Sequence, residues 1–222
     1  MTRAQGGRLS GDRFERALCA AERRMGTRLA SPAAIQRFLD AIPYSSDPFY
    51  RAPLRVLQDR RAHCFDGAVF AAAALRRIGH PPRILDLFAN GRDDEHLLAL
   101  FRVRGAWGAV AKSNFAGLRY REPVYRSLRE LAMSYFEGYY NLAREKTLRA
   151  YAGPISLAPF DRLGWTEHDA AMEEIARRTD KVRRVRLIDA QMARRLSPVD
   201  ERSYRAGLLG ADPRGLFRPS SA

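Results

Sequence analysis

Two residues of this chain have the chemistry and the sequence setting of a nucleophile and its base. Cys64 stands where a long apolar run begins, and His96 opens a run of alternating, strand-like residues. At the start of a helix, unpaired backbone N–H groups and the helix dipole favour a thiolate, the reactive form of cysteine. An imidazole within reach can take the thiol proton. If folding brings Cys64 and His96 together, they form a cysteine-dependent site for acyl transfer or hydrolysis.

The transition state at such a thiol carries negative charge on the oxygen of the attacked carbonyl. The backbone N–H groups at the helix start would stabilise that oxyanion. A second donor is expected from the segment before the helix, where Gln58 is the candidate, with a solvated loop residue as the alternative interpretation. His63 adjoins the cysteine, but neighbouring helical side chains point apart, so we interpret it as a structural or pocket-lining residue.

A third group should fix the tautomer of His96, and the strand register predicts which one. With a two-residue turn between the strand that begins at His96 and the next strand, His96 faces Ser113, and with a three-residue loop it faces Asn114. Directly opposed residues share a face of the sheet. We favour Asn114, because its amide oxygen is a well-fixed acceptor and a Cys-His-Asn arrangement is chemically competent. Ser113 and Asp86 are the alternatives.

The elements that must position these residues follow from hydrophobic periodicity and from proline and glycine signals. The pattern predicts an amphipathic helix over 12–24, with Cys19 off its apolar stripe, and a second helix between Ser31-Pro32 and Pro43. The remaining predicted elements are a buried helix over 64–78, strands over 83–88, 96–103 and 107–112, helices over 121–140 and 166–176, and a short basic strand over 182–188.

The stretch from His63 to Asn114 resembles the transglutaminase-like superfamily. Members have a cysteine at the start of a small-residue helix, a Gly-x-Pro turn, a strand, a histidine at the next strand start and then a tryptophan-containing strand. Cys64, the Gly79–Pro82 turn, His96 and Trp107 follow this order. The resemblance implies an α+β fold like that of papain-type enzymes, with the cysteine-bearing helix packed on a small antiparallel sheet. It also implies a Cys-His-Asp site acting on amides by transglutamination, proteolysis or deglycosylation.

The chain departs from that family pattern at the third position. Where the family has an aspartate after the tryptophan-containing strand, this chain has the segment 111–114, which contains no carboxylate. Asn114 can still orient a histidine, as in papain-like enzymes. The predicted function is a cysteine peptidase, amidase or acyltransferase that works through a thioester. The first alternative is a catalytically inactive binding module, since some members of the superfamily have lost catalysis.

Composition limits the other possibilities. The 222 residues, 46% of them hydrophobic, are enough for one core, and we predict one domain over 11–211 with its core over 54–145, a disordered segment 1–10 and a frayed tail 212–222. Two cysteines and no apolar N-terminal region predict a cytoplasmic protein with no membrane association. No metal or organic cofactor is expected.

The net charge of +14 favours a peptide or protein substrate of acidic character. A basic nucleic-acid-binding protein is the weaker alternative, because the arginines are spread over the whole chain and no recognition motif accompanies them.

Overall fold

The computed structural model describes residues 28–218, which form an α+β fold. The predicted helix over 12–24, Cys19 and the segment 1–10 lie outside the described residues. The helices are α1 (Pro32–Ala41), α2 (Pro53–Asp59), α3 (Cys64–Arg77), α4 (Leu128–Met133), α5 (Ala170–Asp180), α6 (Ala190–Arg194) and α7 (Glu201–Gly207). The strands are β1 (Arg83–Phe88), β2 (His96–Val103), β3 (Ala106–Val110), β4 (Arg121–Tyr125), β5 (Ala150–Ser156) and β6 (Val185–Arg186).

The strands form one antiparallel sheet in the order β4-β3-β2-β1-β5-β6. Of the two turn lengths considered between β2 and β3, the structure has the two-residue turn, since Val103 pairs with Ala106. Arg104 and Gly105 have φ angles of 48° and 87°, the left-handed conformations that suit a tight hairpin. The cysteine-bearing helix, the first two strands and the Arg104-Gly105 hairpin are therefore found where the sequence predicts them.

A hydrophobic core lies on each face of the sheet, as the alternation of strand side chains requires. Helices α1 and α3 cover one face, where they pack on Leu97, Ala99 and Phe101 of β2. The opposite face carries Leu98 and Leu100 and is covered by α4 and the aromatic residues after it. Because its pleat neighbours Leu98 and Leu100 lie on the α4 face, His96 belongs to that face, while Cys64 approaches from the α3 face.

The chain leaves β3 at Val110 because α1 captures its backbone. Gln36 of α1 donates to the Ala111 carbonyl at 2.9 Å and accepts from the Ala111 N–H at 3.0 Å. The buried Lys112 then donates to the carbonyls of Leu39 and Ile42 at 2.7 and 2.6 Å. The predicted strand over 107–112 is thus too long, and the β2–β3 ladder stops at the Ala99–Val110 pair.

Two predicted helices are wrong over part of their length. The stretch 121–140 contains strand β4, then α4 and a 3-10 turn at Phe136–Gly138. Pro123 has no N–H to donate within a helix, and residues 121–125 alternate in exposure as a strand does. The helix predicted to begin at Thr166 begins at Ala170 and extends to Asp180.

The C-terminal segment packs against the rest of the fold within the described residues. After α7, a 3-10 turn forms at Pro213–Gly215, within the segment from residue 212 that the sequence predicts to be frayed. The Tyr140 hydroxyl donates to the carbonyl of Ser203 in α7 at 2.8 Å, which ties this segment to the α4 side of the sheet. Among the described residues, no helix has the length and apolarity needed to cross a membrane.

Candidate active site

Cys64 is the first residue of α3, directly after the N-cap residue His63. The Nδ1 atom of His63 accepts hydrogen bonds from the N–H groups of Phe65 and Asp66 at 3.1 and 3.4 Å, and an Asp66 carboxylate oxygen accepts from the His63 N–H at 3.4 Å. This reciprocal capping satisfies the second and third N–H groups of the helix. The ring nitrogen that could act as a base is therefore occupied in His63, which leaves the Cys64 N–H as the donor beside the thiol.

Tyr44 brings a hydroxyl group to the same thiol, and sequence reasoning missed it. Its backbone forms a bridge with Ala62, two residues before the cysteine. Tyr44 lines both cavities that open on Cys64, and its hydroxyl lies close enough to the thiol for each group to shift the pKa of the other. The loop after Tyr44 is fixed by the buried Arg51, which donates to Ser45 at 3.0 Å and to Asp59 at 2.9 Å. Tyr44 is therefore held in place by the fold rather than carried on an unanchored loop.

His96 is buried at the first position of β2, and its ring is held by a backbone group. The Nε2 atom of His96 lies 2.7 Å from the Leu118 carbonyl oxygen, in the 3-10 turn Ala116–Leu118. Because a carbonyl can only accept, Nε2 carries the proton and Nδ1 is left as the basic nitrogen. Tyr139 packs edge-on against the ring, with centroids 6.4 Å apart. The Leu118 carbonyl thus occupies the hydrogen-bonding position behind His96 that the sequence assigned to a third side chain.

Cys64 and His96 lie at the same end of the sheet. The Cys64 thiol donates to the Glu95 carbonyl at 3.8 Å, one residue before His96. Both side chains line a small cavity of about 40 Å³. A larger cavity of about 490 Å³ also opens on Cys64 and Tyr44. The helix start and the strand start are therefore neighbours, as the proposed nucleophile–base pair requires.

Burial sets the resting charge state of this pair. Desolvation, followed by the negative charge of Asp94, raises the pKa of Cys64 to about 12, while Tyr44 lowers it by less. Desolvation also lowers the pKa of His96 to about 4, against a smaller rise from the Leu118 carbonyl. The resting pair is thus a neutral thiol and a neutral imidazole. Burial, followed by repulsion from the thiolate that Cys64 becomes only at high pH, holds the pKa of Tyr44 well above its usual value, so this hydroxyl stays a donor.

The predicted partnership of Asn114 with His96 is not made. Because Gln36 and Lys112 draw the chain away from the sheet, His96 has no cross-strand partner on β3. The Asn114 side chain instead brackets the backbone of Asp212, donating to its carbonyl at 2.8 Å and accepting from its N–H at 2.7 Å. Its role is to hold the C-terminal segment.

The other predicted site residues are placed as follows. Ser113 lines the small cavity, but its hydroxyl accepts from the Phe115 N–H at 3.0 Å rather than meeting His96. Gln58, the predicted oxyanion donor, is exposed on α2 and lines neither cavity at Cys64, whereas Tyr44 lines both. Asp86 is buried on β1 and lines the larger cavity, beside the thiol rather than behind the imidazole.

The C-terminal segment forms one wall of the site. Residues 214–217 line the larger cavity, and Gly215 and Phe217 also line the small one. A Cβ atom at Gly215 would lie 2.4 Å from the Tyr44 ring and 3.2 Å from the Asn114 amide nitrogen, so only glycine fits this approach. Sequence reasoning missed this contact because nothing local to residues 212–217 indicates where they dock.

Possible metal ligands are spread out in the described part of the chain. Among residues 28–218, no group of three or more His, Cys, Asp or Glu side chains is arranged to hold a metal ion. In the acidic turn 93–95, Asp93 accepts from the Thr147 hydroxyl at 2.6 Å and Glu95 pairs with Arg184 at 3.6 Å. These two carboxylates have structural partners.

Comparisons with known proteins give only distant similarities. No protein-family model matches the chain, and no curated protein matches it. Among solved structures, calcium-bound LapG of Legionella pneumophila is 13% identical over 76% of this chain and 98% of its own, with a TM-score of 0.38. LapG of the same organism and its EGTA-treated form, each 13% identical with a TM-score of 0.33, match over 48% of this chain and 70% and 69% of theirs. The candidate site is accordingly argued from its own geometry.

Proposed function

We propose that this chain is a cysteine-dependent enzyme that attacks an amide or ester carbonyl through a thioester intermediate, as a peptidase, amidase or acyltransferase. The observation that carries the proposal is that Cys64, at the start of α3, and His96, whose tautomer is fixed by the Leu118 carbonyl, line the same small cavity. This arrangement supplies a nucleophile and an oriented base without a third side chain.

The reaction follows from the neutral resting pair. As the sulfur attacks the carbonyl carbon, Nδ1 of His96 takes the thiol proton, and the carbonyl oxygen becomes an oxyanion. The Cys64 N–H and the Tyr44 hydroxyl are the donors for that oxygen. One such donor lowers the activation barrier by on the order of 3 kcal/mol. Collapse of the intermediate breaks the C–N bond, and the imidazolium returns the proton to the leaving amine. Water or a second amine then releases the acyl group.

A burst experiment with p-nitrophenyl acetate tests this proposal without knowledge of the natural substrate. We expect one equivalent of p-nitrophenol per chain in the first turnover, and an acetyl group on Cys64 by peptide mass spectrometry. His96→Asn should slow the burst by about 10²–10⁴-fold, because it removes the base. Gln58→Ala is the control and should leave the burst unchanged. Absence of Cys64 acetylation, or an undiminished burst in the His96 variant, would contradict the proposal.

An inactive binding module is the second candidate, and one observation favours it. Burial raises the pKa of Cys64 and lowers that of His96, so the structure does not stabilise a thiolate–imidazolium pair at rest. The same burst experiment decides between the two, since an inactive module gives neither p-nitrophenol nor acetyl-Cys64.

A further inference from the structure

The larger cavity beside Cys64 is acidic, although the chain as a whole carries a net charge of +14. The carboxylates that line it are Asp47, Asp86, Asp94, Glu95 and Asp180. The guanidinium on its wall, that of Arg214, turns back to Asp212, at 2.8 Å. The charge around the site is therefore opposite to the charge of the molecule.

Three of these carboxylates have no ion-pair partner within the described part of the chain. Asp47 is paired with Arg51 and Arg61, and Glu95 with Arg184. Asp86, Asp94 and Asp180 form no such pair among residues 28–218. Three unpaired acids at one cavity are unusual in a chain with a net charge of +14.

Asp86 is the most unusual of the three. It is 1% exposed, and its Oδ1 atom is buried without a hydrogen-bond partner among the described residues. Arg184 influences Asp86 only by long-range electrostatic attraction. Its guanidinium pairs with Glu95 and stacks 3.7 Å over the Phe88 ring. A buried polar atom without a partner is costly and rare in native proteins. Its position on the cavity wall indicates that the missing partner enters from the cavity.

We propose that the larger cavity receives a lysine or arginine side chain of the peptide that Cys64 attacks, and that Asp86 is the specificity-determining carboxylate that pairs with it. Asp94 and Asp180 add negative potential around the cation, and the bound cation in turn favours ionisation of the buried Asp86 carboxyl group. This inference rests on the proposed function for the identity of the ligand as a substrate. The net charge alone favours an acidic substrate. The proposal instead expects a basic side chain, because a ligand responds most strongly to the charges in its own cavity.

The test measures binding, so that it does not depend on catalysis. The full chain carrying Cys64→Ser is titrated with the peptides acetyl-Ala-Xaa-Ala-Ala-amide, where Xaa is arginine, lysine, norleucine or glutamate, and affinity is measured by calorimetry. We expect the arginine and lysine peptides to bind at least about tenfold more tightly than the norleucine peptide, and the glutamate peptide to bind most weakly.

Adding Asp86→Asn should abolish the preference for a basic residue while leaving the norleucine peptide nearly unaffected. Asp180→Asn, at an exposed position, should reduce the preference without a risk to folding. Glu122→Gln removes an exposed carboxylate on β4, outside the cavity, and should leave the preference intact.

Equal affinities for the four peptides, no detectable binding of any of them, or a preference that persists in both aspartate variants would overturn the inference. A preference for basic residues together with no acetyl-Cys64 in the burst experiment would support the binding site and reject the enzyme. Acetylation of Cys64 without any charge preference would do the reverse.

Discussion

His96 is oriented by a main-chain oxygen, and this choice affects its chemistry. A carboxylate behind the ring would stabilise the imidazolium, whereas the Leu118 carbonyl carries no net charge. The pKa of His96 is accordingly low, because burial is only partly opposed. His96 can therefore act as a base from mildly acidic pH upward, but it gives little help in holding a thiolate at rest. The thiol proton must move during the attack itself.

Asp86 is the residue whose ionisation should affect stability most clearly. Burial, followed by the charge of Glu95, raises the pKa of Asp86 to about 8. Between about pH 4 and pH 8 the folded state then binds more protons than the unfolded state, so stability falls as pH rises through this range. The stability of Asp86→Asn relative to the native chain should therefore increase by on the order of 2–4 kcal/mol as the pH is raised from about 4 to about 7.5.

Urea denaturation at both pH values checks this prediction. Asp180→Asn is the matched control and should change stability by less than about 0.5 kcal/mol. A pH-independent difference between the native chain and the Asp86 variant would mean that Asp86 is ionised and paired in the folded protein.

At the scale of elements, the site depends on how β3 ends. Gln36 and Lys112 carry the chain from the sheet to α1, and the 3-10 turn at Ala116–Leu118 then returns a carbonyl to His96. Helix α3 can approach Lys112 closely only because residue 67 is glycine, since a Cβ there would lie 2.3 Å from the Lys112 Cβ. The packing of α1 and α3 on the sheet is therefore what aligns the base.

The two hydrogen bonds of Asn114 to Asp212 should control access to Cys64. Asn114→Ala removes both bonds, each contributing about 0.5–1.5 kcal/mol, so the segment 212–217 should leave the cavity wall more often. We expect alkylation of Cys64 by N-ethylmaleimide to become about tenfold faster, as followed by peptide mass spectrometry.

Asn90→Ala provides the control, because Asn90 is exposed and lines neither cavity. Gly215→Val should act in the same direction as the Asn114 variant, since the added side chain meets Tyr44. Unchanged or slower alkylation in both variants would show that the segment does not restrict the thiol.

The elements show how far local sequence signals reach. The alanine-rich helix, the first two strands and the Arg104-Gly105 hairpin follow from periodicity and turn residues, and they already bring Cys64 and His96 to one end of the sheet. The partner of His96 does not follow, because it depends on contacts between Gln36 and Ala111, far apart in the chain. Tyr44 could have been suspected as a polar aromatic residue preceding the cysteine, whereas the docking of residues 212–217 has no local signal.

At the scale of the whole molecule, the basic charge is dispersed. Many arginines are engaged in ion pairs or in stacking on aromatic rings, such as Arg55 with Asp169 and Arg121 over Tyr135. Lysine occurs only at Lys112, Lys146 and Lys181, and Lys112 is buried. A dispersed positive charge produces a general attraction for polyanions but no shaped surface for sequence recognition.

We therefore expect duplex DNA to bind only non-specifically. The dissociation constant should be in the range of about 10⁻⁴–10⁻⁶ M at physiological salt, and affinity should fall steeply between about 50 and 200 mM salt. Fluorescence anisotropy with labelled duplexes of two unrelated sequences measures both quantities. Nanomolar binding that survives the higher salt, or a strong preference for one sequence, would revive the nucleic-acid-binding alternative.

The oxygen behind His96 belongs to the polypeptide backbone, and this has a consequence for recognising other chains with a site of this kind. No point substitution at position 118 can delete that acceptor, and any amino acid can supply it provided that the turn keeps its path. A motif search that demands an acid or an amide as the third residue would discard such a chain. Screening for a conserved loop shape next to the imidazole would retain it.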